Sequence, residues 1–243
     1  MNIQMSFKGK TVLVSGGTRG LGAAMVDAFA GAGAEVICTG TAARVRPRKG
    51  VVYWPLDLSD DKSTADCIRR MRGLKRLDIL VNNAGTNIIE PIDRMDKDHW
   101  DCVLQVNLTG AMLLMKEAAV LMKKNKKGGR ILNVSSIFGL ISREKRNAYS
   151  ASKAALIGLT RAAALDLAAD GVLVNAICPG FVLTDLTKRM LSVKERTVLV
   201  NSIPMGRFGK EEEIAATAVF LCSPLNTYLT GQTVIIDGGV SIQ

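Results

Sequence analysis

Two side chains in this 243-residue chain are spaced for proton chemistry: Tyr149 and Lys153, in Tyr149-Ser150-Ala151-Ser152-Lys153. The segment around them reads as helix, so residues four apart share a face. A free phenol titrates near pH ~10 and exchanges protons poorly at neutral pH. A neighbouring ammonium favours the phenolate and lowers that value. A phenol tuned in this way gives a proton to a carbonyl oxygen or takes one from an alcohol. On its own the pair decorates many helix surfaces, so the surrounding elements decide its meaning.

Those elements alternate. Short apolar, β-branched runs fall at 11–14, 35–38, 51–54, 78–81, 130–134, 173–177 and 233–236. Amphipathic segments at 21–30, 60–71, 99–123, 149–169 and 211–221 lie between them. Strands that alternate with helices predict an α/β fold: a Rossmann-type, doubly wound parallel sheet of about seven strands with helices on both faces. There is no low-complexity linker and no repeat, so residues 1–243 read as a single domain. The stretch 184–209 lacks a strand and is expected to form a lid of helix and loop, with Lys188, Arg189 and Arg207 in it.

After the first run comes Ser15-Gly16-Gly17-Thr18-Arg19-Gly20-Leu21-Gly22, which opens a helix. Glycines there allow a tight turn and close approach to a pyrophosphate, and the helix start offers free N–H groups. A glycine loop between first strand and first helix predicts dinucleotide binding. An ordinary glycine turn is the plainer alternative.

Composition narrows the class. Apolar residues make up 48% of the chain, with 23 glycines and six prolines, which is a soluble globular pattern. No apolar run is long enough to span a bilayer, and no membrane role is expected. The first eight residues are too short a leader for a signal peptide. Cys38, Cys67, Cys102, Cys178 and Cys222 are odd in number and dispersed, which points to reduced thiols and a cytoplasmic protein. His99 is the single histidine, so a site with several imidazole ligands is excluded and no metal is expected. The net charge of +10 comes from scattered basic residues, and aromatics are only 5%. That distribution argues against nucleic acid and for anionic cofactors or substrates.

The spacing Gly16-x-x-x-Gly20-x-Gly22 resembles the short-chain dehydrogenase/reductase family, with Ser15 in place of the usual threonine. The resemblance runs from about Lys10 to Gly239. It includes Asn82-Asn83-Ala84-Gly85, Ser136 thirteen residues before Tyr149, Lys153, Pro179-Gly180 followed by Thr184, and Gly231 with Asp237-Gly238-Gly239. It implies an enzyme with Tyr149 as proton donor in reduction and base in oxidation. Lys153 lowers the phenol's pKa and grips the nicotinamide ribose, Ser136 holds the substrate oxygen, and Asn107 holds a water that links Lys153 to solvent. It also implies cofactor contacts at Ser15, Gly16, Thr18, Arg19, Gly20, Leu21, Gly22, Asn83, Ala84, Gly85, Pro179, Gly180, Val182 and Thr184. Asp57 resembles the family's adenine-binding acid, with Leu58 beside it; a turn-forming Asp is the alternative.

An acid at the end of the second strand would mark NAD, because it accepts hydrogen bonds from the ribose 2′-hydroxyl and repels a 2′-phosphate. That strand instead runs into Thr39-Gly40-Thr41-Ala42-Ala43. Arg19 in the glycine loop and Thr41 are the expected phosphate contacts. Arg44, Arg46, Arg48 and Lys49 follow as further candidates or as a solvated loop. NADP is therefore favoured over NAD.

The substrate is less defined. Three cations, Arg143, Lys145 and Arg146, lie between Ser136 and Tyr149. They suggest a carbonyl or alcohol substrate that is anionic or carrier-bound. Within the family the chain most resembles the 3-oxoacyl-(acyl-carrier-protein) reductase branch, which implies reduction of a 3-oxoacyl thioester. Asp170, where carrier-dependent reductases often have a base, counts against that branch, although Lys123, Lys124, Lys126 and Lys127 could attract a carrier. Sugar, sugar-acid and polyol dehydrogenases are the alternative, and a non-catalytic NADP-binding scaffold is a further one. By the same resemblance the two long helices predict a homo-oligomer, a tetramer first and a dimer second.

Overall fold

The computed structural model describes residues 5–42, 45, 48–125, 128–184 and 192–243. Seven strands form one parallel sheet: β1 (Thr11–Val14), β2 (Glu35–Gly40), β3 (Val51–Pro55), β4 (Ile79–Asn82), β5 (Gly129–Val134), β6 (Val172–Pro179) and β7 (Thr233–Ile236). Their spatial order is β3-β2-β1-β4-β5-β6-β7. Val12 aligns with Val36 on one side and Ile79 on the other. The order reverses between β1 and β4, so the chain leaves those two strands in opposite directions and opens a crevice at their carboxyl ends.

Helices cover both faces: α1 (Gly20–Gly31), α2 (Asp61–Arg72), α3 (Lys97–Leu104), α4 (Gly110–Lys123), α5 (Asn147–Leu167), α6 (Val193–Asn201) and α7 (Glu211–Cys222). Side chains alternate along each strand, which divides the core. Val12 and Val14 join Met25, Val26, Phe29, Ile214 and Val219 under α1 and α7. Leu13 and Leu80 join Met71, Leu114, Met122 and Leu167 under α2, α4 and α5. The α2 start is fixed by Asp60, whose carboxylate accepts from the Lys62 N–H.

The long helix expected at 99–123 is interrupted. Residues Gln105–Thr109 form a π-helical turn, and the Gly110 N–H donates five residues back, to the Gln105 carbonyl. Such a turn inserts one extra residue and re-aims the side chains within it, here including Asn107. No helix falls between β2 and β3 among the described residues. There the Tyr53 hydroxyl lies 2.6 Å from the Gly40 carbonyl and holds the end of β2. The stretch after β6 contains α6 and no strand among the described residues; Lys188 and Arg189 lie outside them. Val182 bridges to Gly209, which closes the base of that excursion.

Candidate active site

The crevice is built by two loops that only long-range contacts bring together. Ser15 follows β1 and is buried; its hydroxyl accepts from the N–H groups of Asn83 and Ala84, each at 3.0 Å. The Asn83 amide donates back to the Ser15 and Gly16 carbonyls at 3.0 Å. The Ser15 hydroxyl and the Asn83 amide therefore position the glycine loop and are spent within the protein. Gly16 has φ 64°, and a Cβ there would sit 2.8 Å from the Ala84 Cα. A Cβ on Gly22 would sit 2.2 Å from the Gly16 carbonyl. Only glycine fits either position.

The start of α1 faces this cradle. Its first turn carries no acid, and Arg19 before it makes no capping bond. N–H groups at a helix start fit a phosphate, and the Glu211 carboxylate of α7 lies against the same turn at Gly20. Arg19 and Thr41 are both exposed. Arg19 makes no ion pair among the described residues, whereas the Arg48 guanidinium pairs with Asp27 of α1 at 3.0 Å. Arg44 and Arg46 lie outside the described residues. One Asp57 oxygen accepts from the Ser59 N–H and hydroxyl at 2.9 and 2.6 Å, so the residue does build a turn. Its other oxygen receives no bond among the described residues. The Leu58 side chain is buried against Gly110, which leaves its backbone as the part able to meet a cofactor.

At the other end of the crevice the expected catalytic residues converge. Ser136 closes β5 and starts a short 3-10 turn, with its hydroxyl accepting from the Phe138 N–H at 3.1 Å. Tyr149 and Lys153 lie one turn apart on α5, with the Lys153 Nζ 5.7 Å from the phenol ring centroid. Lys153 is 4% exposed and donates to the Val134 carbonyl at 2.8 Å. Burial pushes its ammonium down to about 8. A Cβ on the exposed Gly85 would sit 3.4 Å from that Nζ, so the β4 loop passes directly over the lysine.

Asn107 is 1% exposed and its side chain is fully used. It accepts from the Thr86 N–H at 2.7 Å and donates to the Thr86 carbonyl and the Ser152 hydroxyl at 2.9 and 3.0 Å. The side chain pins the loop after Gly85 to α5, so a water-holding role would fall to its backbone. Burial raises the Tyr149 phenol above its ordinary value, and the contact with Ser136 and the charge of Arg146 pull it down. The Lys153 ammonium, 5.7 Å from the ring centroid, is close enough to favour the phenolate.

Sequence reasoning passed over the aromatic wall. Phe138 meets Tyr149 edge-on at 6.4 Å and Phe181 edge-on at 6.1 Å. Both follow recognised positions by one or two residues, Ser136 and Gly180, and that proximity was the available signal. Pro179 ends β6 and Gly180 follows it, where a Cβ on Gly180 would sit 2.6 Å from Asp237. Val182 is buried at the mouth of the excursion, followed by Thr184. Two suspected anion contacts are already paired. Arg207 grips Glu213 at 2.7 and 2.8 Å, which holds that carboxyl down at about 2. Lys123 holds Asp170 at 2.7 Å, so the acid that weighed against a carrier is not a free charge. Lys126 and Lys127 lie outside the described residues.

A parallel sheet that reverses at a glycine-lined crevice, with a phenol, a serine and a buried ammonium at one end, defines a Rossmann-type nicotinamide oxidoreductase. Residues 16–241 match the family model described as "Enoyl-(Acyl carrier protein) reductase", and the chain belongs to the short-chain dehydrogenase/reductase family. It is 38% identical over 98% of its length to the whole 3-oxoacyl-[acyl-carrier-protein] reductase FabG of Aquifex aeolicus. With the FabG of Escherichia coli it shares 35% identity over 97% of this chain and 99% of that one. Among solved structures it superimposes on the Pseudomonas aeruginosa RhlG/NADP active-site complex with a TM-score of 0.91, at 31% identity over the full length of both chains. A protein assigned as an NAD(P)-dependent gluconate 5-dehydrogenase from Beutenbergia cavernae, solved with NADP, matches equally at 0.91 and 31%, over 99% of this chain and 100% of that one.

Proposed function

We propose that this chain is an NADPH-dependent reductase of 3-oxoacyl thioesters, working as a cytoplasmic enzyme whose residues 1–243 form one domain with a lid at 184–209. The observation that carries the reading is the convergence of Ser136, Tyr149 and Lys153 beside the cradle formed by Gly16, Gly22 and Gly85. The names of the FabG relatives support the thioester, and the two NADP-bound structures support the cofactor. Arg19 without an ion pair among the described residues, and a β2 end without an acid, favour the 2′-phosphate.

When bound, NADPH supplies the hydride that the protein itself lacks. The N–H groups at the α1 start hold the pyrophosphate, Arg19 and Thr41 the 2′-phosphate, and Asp57 the adenine. Asn83, Ala84, Gly85, Pro179, Gly180, Val182 and Thr184 line the nicotinamide side. Ser136 fixes the carbonyl oxygen and Tyr149 delivers its phenolic proton to it. Lys153, still mostly protonated at neutral pH, restores that proton. Asn107 keeps the Gly85 loop and α5 in register.

Assembly as a homotetramer accompanies this reading. Leu165 on α5 is 83% exposed, Tyr228 is 96% exposed, and Ile235 on β7 is exposed as well. Apolar groups left outside in this way call for a partner surface, and light scattering of the purified protein measures it.

The experiment for the function is NADPH consumption with acetoacetyl-CoA, beside crotonyl-CoA and beside NADH. Turnover of the 3-oxo thioester with NADPH, and none of the enoyl thioester, supports the proposal. Enoyl reduction alone would replace it with the activity named in the family description.

A further inference from the structure

The turn between β5 and α5 sets one cation against the catalytic group. Lys145 adopts a left-handed backbone, φ 62°, which is uncommon for a residue with a long side chain. Its carbonyl accepts from the Glu90 N–H at 3.1 Å, and the Arg146 N–H donates to the Arg143 carbonyl at 3.3 Å. The turn is thus fixed from inside and from the β4 loop. It places the Arg146 guanidinium carbon 5.8 Å over the centroid of Phe138. Phe138 in turn meets Tyr149 edge-on. The guanidinium is one ring removed from the phenol, and the two interact electrostatically.

Arg146 is half-buried, and burial works against its charge. Cations in that position are normally paired. Among the described residues Arg146 has no carboxylate at ion-pair distance and no side-chain hydrogen bond. Glu90, bridged to it through the backbone, spends its carboxylate on the His99 ring at 2.6 Å and on the Asp96 N–H at 3.3 Å. Arg48, Arg207 and Lys123 each have an acid of their own. A stacked guanidinium without an acid is a fork that matches a carboxylate.

We propose that Arg146 is a specificity-determining residue that receives a carboxylate borne by the carbonyl substrate itself, so that the site accepts short oxo acids beside the 3-oxoacyl thioesters. The inference rests on the reading of Tyr149 as proton donor and deepens it. The phosphate of a long carrier arm lies too far from the reacting carbonyl to meet a group one ring from the phenol. The carboxylate takes no part in the bond changes. Hydride adds to the carbonyl carbon, the carbonyl π pair moves to oxygen, the Tyr149 proton joins that oxygen, and NADPH leaves oxidised.

The test compares acetoacetate with methyl acetoacetate, which differ at the carboxylate, and includes acetoacetyl-CoA. The wild-type enzyme is expected to prefer the acid over the ester in kcat/KM by roughly 10- to 100-fold. In Arg146→Gln that preference is lost through KM for the acid, while any kcat change that follows from removing the charge beside the Tyr149 phenol is shared by acid and ester. Arg146→Lys recovers part of it. Calorimetric titration of acetoacetate into the Tyr149→Phe protein with NADPH reads the same contact without turnover, and the added Arg146→Gln change is expected to abolish the heat. An equal loss on acid and ester, or a wild-type enzyme without preference, overturns the inference while leaving carbonyl reduction standing. Failure of every carbonyl compound, the thioester included, overturns both.

Discussion

The Lys153 ammonium donates to the Val134 carbonyl at 2.8 Å, behind the phenol of Tyr149. The bond anchors a cation inside the sheet–helix junction, where burial brings it down from its ordinary 10.5 to about 8. The protein therefore holds a group near its titration point at physiological pH, which suits a proton relay and costs stability.

Replacing Lys153 by Met should separate those two consequences. Between pH 8 and 10.5 the native lysine binds fewer protons than the unfolded one, so wild-type stability rises with pH across that window. Below pH 8 the full cost is present. Lys153→Met is expected to be more stable than wild type by about 1–3 kcal/mol at pH 7, the gap closing toward pH 10.5, with reductase activity lost. Urea unfolding at several pH values measures it.

The Ser15 hydroxyl serves two buried N–H groups. Ser15→Ala leaves both without an acceptor and is expected to cost about 1–3 kcal/mol. Ser15→Thr keeps the oxygen and should lie closer to wild type. Thermal unfolding of both variants, together with KM for NADPH, reports whether the loop has lost its position.

On the proposed reading, cofactor choice is carried by two exposed residues, Arg19 and Thr41. Thr41→Asp places a carboxylate where the 2′-phosphate is expected and should lower kcat/KM for NADPH by at least about tenfold, with NADH affected far less. Arg19→Ala should act in the same direction. An unchanged NADPH to NADH ratio in both variants would move the phosphate contact elsewhere.

Gly22 lies against the Gly16 carbonyl, where no methyl group fits. Gly22→Ala must displace the loop and should abolish NADPH binding, read by quenching of NADPH fluorescence. Gly158 on α5, with open space around it, is the control, and Gly158→Ala should bind normally.

All seven strands were legible because a parallel sheet buried on both faces needs apolar runs, and the chain provides them at regular intervals. The glycine loop was legible from its place between the first strand and the first helix, Tyr149 and Lys153 from their spacing on one helix face, and Ser136 only through the family resemblance. The π-helical turn at Gln105–Thr109 was not, because its apolar positions continue those of the flanking helices. Nor were the pairs set by tertiary contact. Ser15 meets Asn83 across 68 residues, Arg207 finds Glu213 around a turn, and Lys123 finds Asp170 between two helices. The local sequence shows charges and hydroxyls, and only the fold determines which of them are already satisfied. Arg146 emerged from a basic loop on this criterion, as the half-buried cation stacked on the catalytic aromatics.

The central claim is that Tyr149 passes a proton to a carbonyl while hydride arrives at its carbon. The most direct measurement is a single turnover of acetoacetyl-CoA with NADPH deuterated at the transferred position, followed by mass and NMR analysis of the alcohol. The account predicts deuterium on the new carbinol carbon with wild type, and no product with Tyr149→Phe although that variant still binds NADPH. Product formed at the wild-type rate by Tyr149→Phe, or an alcohol without deuterium at that carbon, would contradict it.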